Sequence, residues 1–157
     1  MRELEFRGKR IDNGRWAYGG FHRHQLVTPS PLIANDKKPK EVEYAYLIVE
    51  SGFSDWNMPK PMHAIEVDPE TVGQFTGLRD VKRRKIYESD ILKGKHYMNG
   101  SWHRIIGKVV FVGCSFCIDG VGKYEGFTRI AFDPSFEIIG NTYENPELLE
   151  VTIGTEE

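Results

Sequence analysis

Cysteine is scarce in this sequence, with two residues in 157, Cys114 and Cys117. Two thiols are too few for the disulfide framework that staples small secreted domains, so a reducing, cytoplasmic setting is expected. Long apolar runs are also missing. No uncharged stretch approaches the roughly 20 residues that a helix needs to cross a bilayer, and no membrane partner is expected. The opening Met1-Arg2-Glu3-Leu4-Glu5-Phe6-Arg7 carries acids and no apolar run, which reads as neither signal nor transit peptide. Nor is there an excess of either charge: 21 Lys and Arg face 23 Asp and Glu, a formal net charge of −2. A nucleic-acid role would therefore have to come from a local patch. Common catalytic signatures are absent too: there is no G-x-S-x-G, no H-E-x-x-H, no G-x-x-x-x-G-K-[ST] and no triad order. No catalytic residue and no cofactor is assigned, and the protein is read as a non-enzyme.

What is present describes a folded chain. Hydrophobic residues make up 39%, aromatics 12% and charged residues 28%, enough apolar material for a core in one domain or two small ones. The expected class is mainly β. Residues 1–80 form an N-terminal β-rich hairpin and sheet region with one short helix, and 81–157 a small SH3-like β-barrel with an acidic tail.

The elements follow from turn chemistry and alternation. Asn13-Gly14 lies between two alternating runs, and both residues tolerate positive φ, so a hairpin is predicted there. Gly19-Gly20 in its return strand marks a bulge or close packing. Thr28-Pro29-Ser30-Pro31 and Asp36-Lys37-Lys38-Pro39-Lys40 bracket a loop region. Glu43 to Glu50 is β-branched and aromatic and reads as a strand with both faces buried. A loop carrying Phe53, Trp56 and Met58 follows, then a short strand at Ala64 to Val67. Asp68 as N-cap, Pro69 at the first helical position, and Val72 and Phe75 three apart predict a helix near 69–76.

A domain boundary would fall near Gly77 to Lys85, and beyond the basic turn at Lys82 to Lys85 the text is almost entirely β. Ile86 to Leu92 reads as a strand. Asn99-Gly100 closes a second hairpin whose return strand starts at Ser101-Trp102, with Gly107 as a bend. Cys114 to Ile118, Phe127 to Phe132 and Phe136 to Ile139 complete at least five strands, the pattern of a small curved barrel.

Three constellations resemble chemistry. Cys114 and Cys117 form a C-x-x-C, but zinc would need two further ligands and a redox pair would need a helix after the first cysteine, so both read as structural thiols. Glu88 and Asp90 stand two apart on a strand with no histidine or phosphate loop to complete a site. His22 and His24 share a strand face without a third ligand, so no metal is assigned.

Charge distribution says more. From Arg79 to Lys108 nine basic residues stand against three acidic ones, a local excess of six, while from Asp133 onward there are seven acids and no Lys or Arg. Lys82, Arg83, Arg84, Lys85, Arg104 and Lys108 are candidates to hold phosphates, with Trp102 or Tyr97 stacking a base beside His96. Alternatively, the basic turn would meet a second copy's acidic tail. Tyr44, Tyr46 and Trp56 are the candidates for self-association, since exposed aromatics mark contact surfaces.

Four blocks, FRGKRIDNGRWAYG at 6–19, TVGQFTGLRD at 71–80, KIYESDIL at 85–92 and IIGNTYENPELL at 138–149, resemble the YopX family in order and over nearly the whole chain. Ser89 stands where a glycine is more usual. The resemblance implies a predominantly β protein of bacteria and of phages or prophages, with relatives that assemble into higher oligomers. It implies no established activity, and no catalytic or binding residue transfers with it. The leading expectation is thus a phage-type accessory protein acting through binding and homo-oligomerisation. The alternative is a nucleic-acid-binding module.

Overall fold

The computed structural model describes residues 3–26, 42–52 and 56–150. The loop expected at 28–40, Phe53, and the end of the acidic tail from 151 onward lie outside the described residues. The chain divides into two compact units, Glu5–Val72 and the part from Gly73 onward joined by the first residues of the chain.

The first unit is an antiparallel array ordered β4-β3-β2-β1, made of β1 (Phe6–Lys9), β2 (Trp16–Gln25), β3 (Tyr44–Ser51) and β4 (Met62–Glu66). The predicted first hairpin forms. Gly14 takes φ +68°, Asn13 Oδ1 accepts the Arg15 N–H at 3.0 Å, and Arg10 forks onto Asp12. Gly19 is needed for space: a Cβ there would lie 2.1 Å from the Val49 carbonyl oxygen. Ala17, Ile48 and Val67 form the centre, with Phe6, Tyr46, Ile65 and Val72 packed around them. Each face of β3 carries an enclosed residue, Ala45 on one and Ile48 on the other, while Tyr44 at its start is exposed.

The helix expected near 69–76 is not formed. Asp68 caps as predicted, its Oδ1 accepting the Glu70 N–H at 3.0 Å, but only a 3-10 turn, Pro69–Thr71, follows. Thr71 Oγ1 donates to the Asp68 carbonyl and accepts the Lys9 N–H, which ties the turn to β1. Val72 is already extended, at φ −68° and ψ 124°. A β-branched pair followed by Gly73 favours that exit, and the supposed helix face of Val72 and Phe75 is the entry to a strand.

The second unit holds β5 (Gly73–Arg79), β6 (Lys85–Tyr87), β7 (Asp90–Met98), β8 (Ser101–Val112), β9 (Ser115–Gly120) and β10 (Glu137–Asn141). β5 pairs with β6, and the rest form an antiparallel sheet ordered β10-β7-β8-β9. The sequence-expected boundary at 77–85 therefore falls on the β5–β6 turn of this unit. The stretch expected as one strand from Ile86 to Leu92 is broken at Glu88-Ser89, where Ser89 has φ +66°.

No closed barrel forms among the described residues. Phe127 to Phe132 is not a strand; it contributes a single bridge, Ile130 to Ile118, and the sheet stays open. The reason is local. Gly122–Tyr124 is a 3-10 turn, and Asp133 Oδ1 accepts the Ser135 N–H in a turn beside Pro134, so the chain lacks a ladder-forming run and returns to pair β10 with β7. Gly107 is not a corner either, since β8 runs straight through it. Its missing side chain admits Ile118, whose Cγ2 would lie 2.1 Å from a Cβ. The core is Ile86, Leu92, Ile105, Val109, Ile118, Ile130 and Phe136, with the Phe136 ring lying over Gly94.

Candidate nucleic-acid interface

The basic turn, the first of the predicted phosphate-binding elements, is neutralised from within. Asp80 is buried and accepts four hydrogen bonds and one further ion-pair contact. Its Oδ1 takes the N–H groups of Lys82 (2.9 Å) and Arg84 (2.8 Å), and its Oδ2 takes Arg84 Nε (2.8 Å), Arg84 Nη2 (2.6 Å) and the Ile138 N–H (3.3 Å). Burial by itself would raise the Asp80 pKa, but these bonds from Arg84 and Ile138 outweigh it and hold the carboxyl below its ordinary range. Arg84 also donates to the Ile138 carbonyl at 2.7 Å. Lys82 pairs with Glu137, whose carboxyl is held low by that bond, and Lys85 reaches Glu3 at 2.6 Å and lies over the Phe75 ring. Arg83 is exposed, and its backbone is what the turn uses: φ is +64° and its carbonyl accepts from Arg79.

The long hairpin is different. Asn99 and Gly100 have φ +51° and +84°, and this two-residue loop sets Met98 against Ser101, Tyr97 against Trp102, Lys95 against Arg104 and Lys93 against Ile106. Directly paired residues share a face. One face of β7–β8 therefore carries Lys93, Lys95, Tyr97, Trp102, Arg104 and Lys108, all solvent-exposed. The other carries Leu92, Gly94, Ile105 and Gly107 toward the core.

Tyr97 and Trp102 are 55% and 68% exposed, with ring centroids 5.4 Å apart at an interplanar angle of 64°. In that edge-on arrangement neither ring covers both faces of the other. Lys95, Arg104 and Lys108 make no ion pair within 4 Å among the described residues. Two acids border this face: Glu137, opposite Lys93 in the sheet, pairs with Lys82, and Asp119, opposite Lys108, accepts the Arg129 N–H at 2.9 Å. At about 6.8 Å per two residues, the face from Trp102 to Lys108 is roughly 20 Å long.

A family model described as YopX protein matches residues 5–150. The chain belongs to the YopX family. No curated protein matches it. Among solved structures, the crystal structure of protein EF1440 from Enterococcus faecalis is 20% identical with a TM-score of 0.49, covering 96% of this chain and 100% of that one.

Of the predicted contact residues, this YopX-family fold brings Trp102, Arg104 and Lys108 onto one surface and fixes Lys82, Arg84 and Lys85 in ion pairs. His96 pairs with His103 on the opposite face, so it does not flank Trp102. Lys93 and Lys95 were not among the predicted contacts. The signal that reveals them is the Asn-Gly loop, because a two-residue hairpin fixes the register and hence the face. The self-association candidates lie in the other unit and are not alike. Tyr46 packs on the core and stacks against Phe21, Tyr44 lies under the Arg23 guanidinium at 4.5 Å, and Trp56 is 96% exposed.

The remaining constellations serve the fold. Glu88 and Asp90 flank a turn instead of sharing a strand, and their oxygens accept the N–H groups of Gln74 and Tyr87, both at 2.8 Å. Cys114 is exposed in the β8–β9 turn with φ +68°, whereas Cys117 is buried in β9, where burial raises its thiol pKa. His22 and His24 are exposed with rings 6.0 Å apart, and no group of three metal-binding side chains occurs among the described residues. Among the described residues, no helix is long and apolar enough to cross a membrane.

Proposed function

We propose that this YopX-family protein is a non-catalytic accessory protein that binds nucleic acid through the outer face of β7–β8. One observation carries the reading: three cations without an ion pair among the described residues, with Lys93 beside them, share an exposed face with two open aromatic rings. Cations on a regular spacing hold phosphates, and aromatic faces hold bases. The contact set is Lys93, Lys95, Tyr97, Trp102, Arg104 and Lys108. Lys82, Arg84 and Lys85 organise the turn. A cytoplasmic, phage or prophage setting agrees with the exposed thiol of Cys114 and with the family.

Fluorescence anisotropy with labelled oligonucleotides tests the proposal. The double variant Lys95→Gln/Arg104→Gln should weaken binding and reduce the salt slope by about 1.4 to 1.8, the loss of two phosphate contacts on a single strand or a duplex. An unchanged slope in that variant would remove the face from consideration.

A second reading, homo-oligomerisation, is favoured by Trp56 with Met58 and Met62, which are 96%, 65% and 79% exposed. Large apolar side chains this open mark a contact surface. Trp56→Ser should lower the mass measured by light scattering while leaving the circular dichroism spectrum intact. The same mass in a folded variant would eliminate Trp56 as a contact.

A further inference from the structure

We infer that the ligand of the β7–β8 face is single-stranded polynucleotide, with Tyr97 and Trp102 stacking unpaired bases at the hairpin tip and Lys93, Lys95, Arg104 and Lys108 holding the phosphates behind them. The inference rests on the nucleic-acid reading and deepens it. β10 pairs with β7 only from Asp90 to Lys93, and β9 pairs with β8 only from Gly107 to Val112. The segment between Lys93 and Gly107 is thus, among the described residues, a two-stranded ribbon without lateral neighbours in its sheet.

Such a ribbon fits two nucleic-acid forms. In a duplex major groove it would read base edges with polar side chains. Here the two residues next to the turn on the exposed face are aromatic. Base faces in a duplex are covered by neighbouring base pairs, so only an unstacked base can lie on these rings. The cations follow inward from the aromatic pair, Lys95 opposite Arg104 and then Lys93 on β7 and Lys108 on β8. That order suits one backbone running along the strand, with bases turned toward the tip. The two strands that carry the cations lie only about 5 Å apart, which does not match the two phosphate rows of a groove about 12 Å wide.

The test compares binding of a labelled thymidine oligomer of about 12 nucleotides, a uridine oligoribonucleotide of the same length, and a DNA duplex of that length, at about 50 mM salt. The DNA and RNA arms separate the two sources of a single strand. Single-strand binding should be at least tenfold tighter than duplex binding. Trp102→Ala should weaken it about 5- to 100-fold, the range for loss of one stacked base, and Trp102→Phe should recover most of the loss. Quenching of tryptophan emission by the single strand should disappear in Trp102→Phe, although Trp16 and Trp56 remain. Trp102 and Tyr97 are exposed, so neither alanine variant removes core packing.

Duplex binding as tight as single-strand binding overturns this inference. So does single-strand binding that Lys95→Gln/Arg104→Gln weakens and Trp102→Ala leaves unchanged. In both cases the nucleic-acid reading survives. Absence of binding to all three probes overturns both.

Discussion

Two residues show how strongly a backbone position can depend on chemistry that the side chain does not share. Arg83 holds φ +64°, a left-handed conformation in which an ordinary side chain crowds the backbone at a cost of about 1–2 kcal/mol. Glycine avoids the crowding but loses more entropy on folding, by roughly 0.5–1 kcal/mol. Arg83→Gly should therefore stabilise the protein by about 0.5–1 kcal/mol, a rise of about 1–4 °C in Tm by calorimetry. Its nucleic-acid affinity should stay the same, because Arg83 is outside the proposed contact set. Asp80 is the opposite case, a buried acceptor of four hydrogen bonds and an ion pair. Asp80→Asn leaves Arg84 and three backbone N–H groups short of a charged acceptor and should cost about 2–4 kcal/mol in urea denaturation. The sign of its pH dependence follows from the depressed pKa. Its stabilisation is present above the unfolded value, near pH 4, and is lost as pH falls through the lower folded value. Below about pH 4, stability should fall less steeply in Asp80→Asn than in the unaltered protein.

At the scale of elements, turns decide more than propensity does. Gly100→Ala places a methyl group at φ +84° and should cost about 1–2 kcal/mol. Because that turn sets which residues oppose Tyr97 and Lys95, the same variant should also weaken oligonucleotide binding, measured by anisotropy. Gly94→Ala acts on the other face. Its Cβ would sit 2.3 Å from the Phe136 ring, so overpacking of about 1–3 kcal/mol is expected by thermal denaturation. Both hairpins were legible in the sequence from Asn-Gly, which takes positive φ at both positions in the second hairpin and at Gly14 alone in the first, where the loop runs from Ile11 to Gly14. The Gly113-Cys114 loop of the β8–β9 hairpin was not, and Cys114 was read as strand. The absent helix at 69–76 is a failure of the same kind, since a true cap and a correct Pro position start a turn that only the following residues can extend.

At the scale of the whole molecule, the net charge of −2 matters for binding. A long-range field would not attract a polyanion, so affinity should arise at the β7–β8 face and depend steeply on salt. Four phosphate contacts on a single strand give a slope near −2.8, or about a 50-fold loss between 50 and 200 mM salt. A much flatter dependence in titrations would be inconsistent with that contact set.

The sequence by itself determined the mainly β class, the two Asn-Gly hairpins, the cap at Asp68 and the family, because each depends on neighbours within a few residues or on a linear pattern. It also held the register of β7 and β8, and with it the common face of Lys95, Tyr97, Trp102 and Arg104. Which cations stay unpaired was decided only by tertiary structure. Lys82 meets Glu137, Arg84 meets the Ile138 carbonyl and Lys85 meets Glu3 across separations of more than fifty residues. A charge count sums such residues without regard to where their partners lie. The open sheet was decided in the same way, since Phe127 to Phe132 has the composition of a strand but only one bridge to hold it.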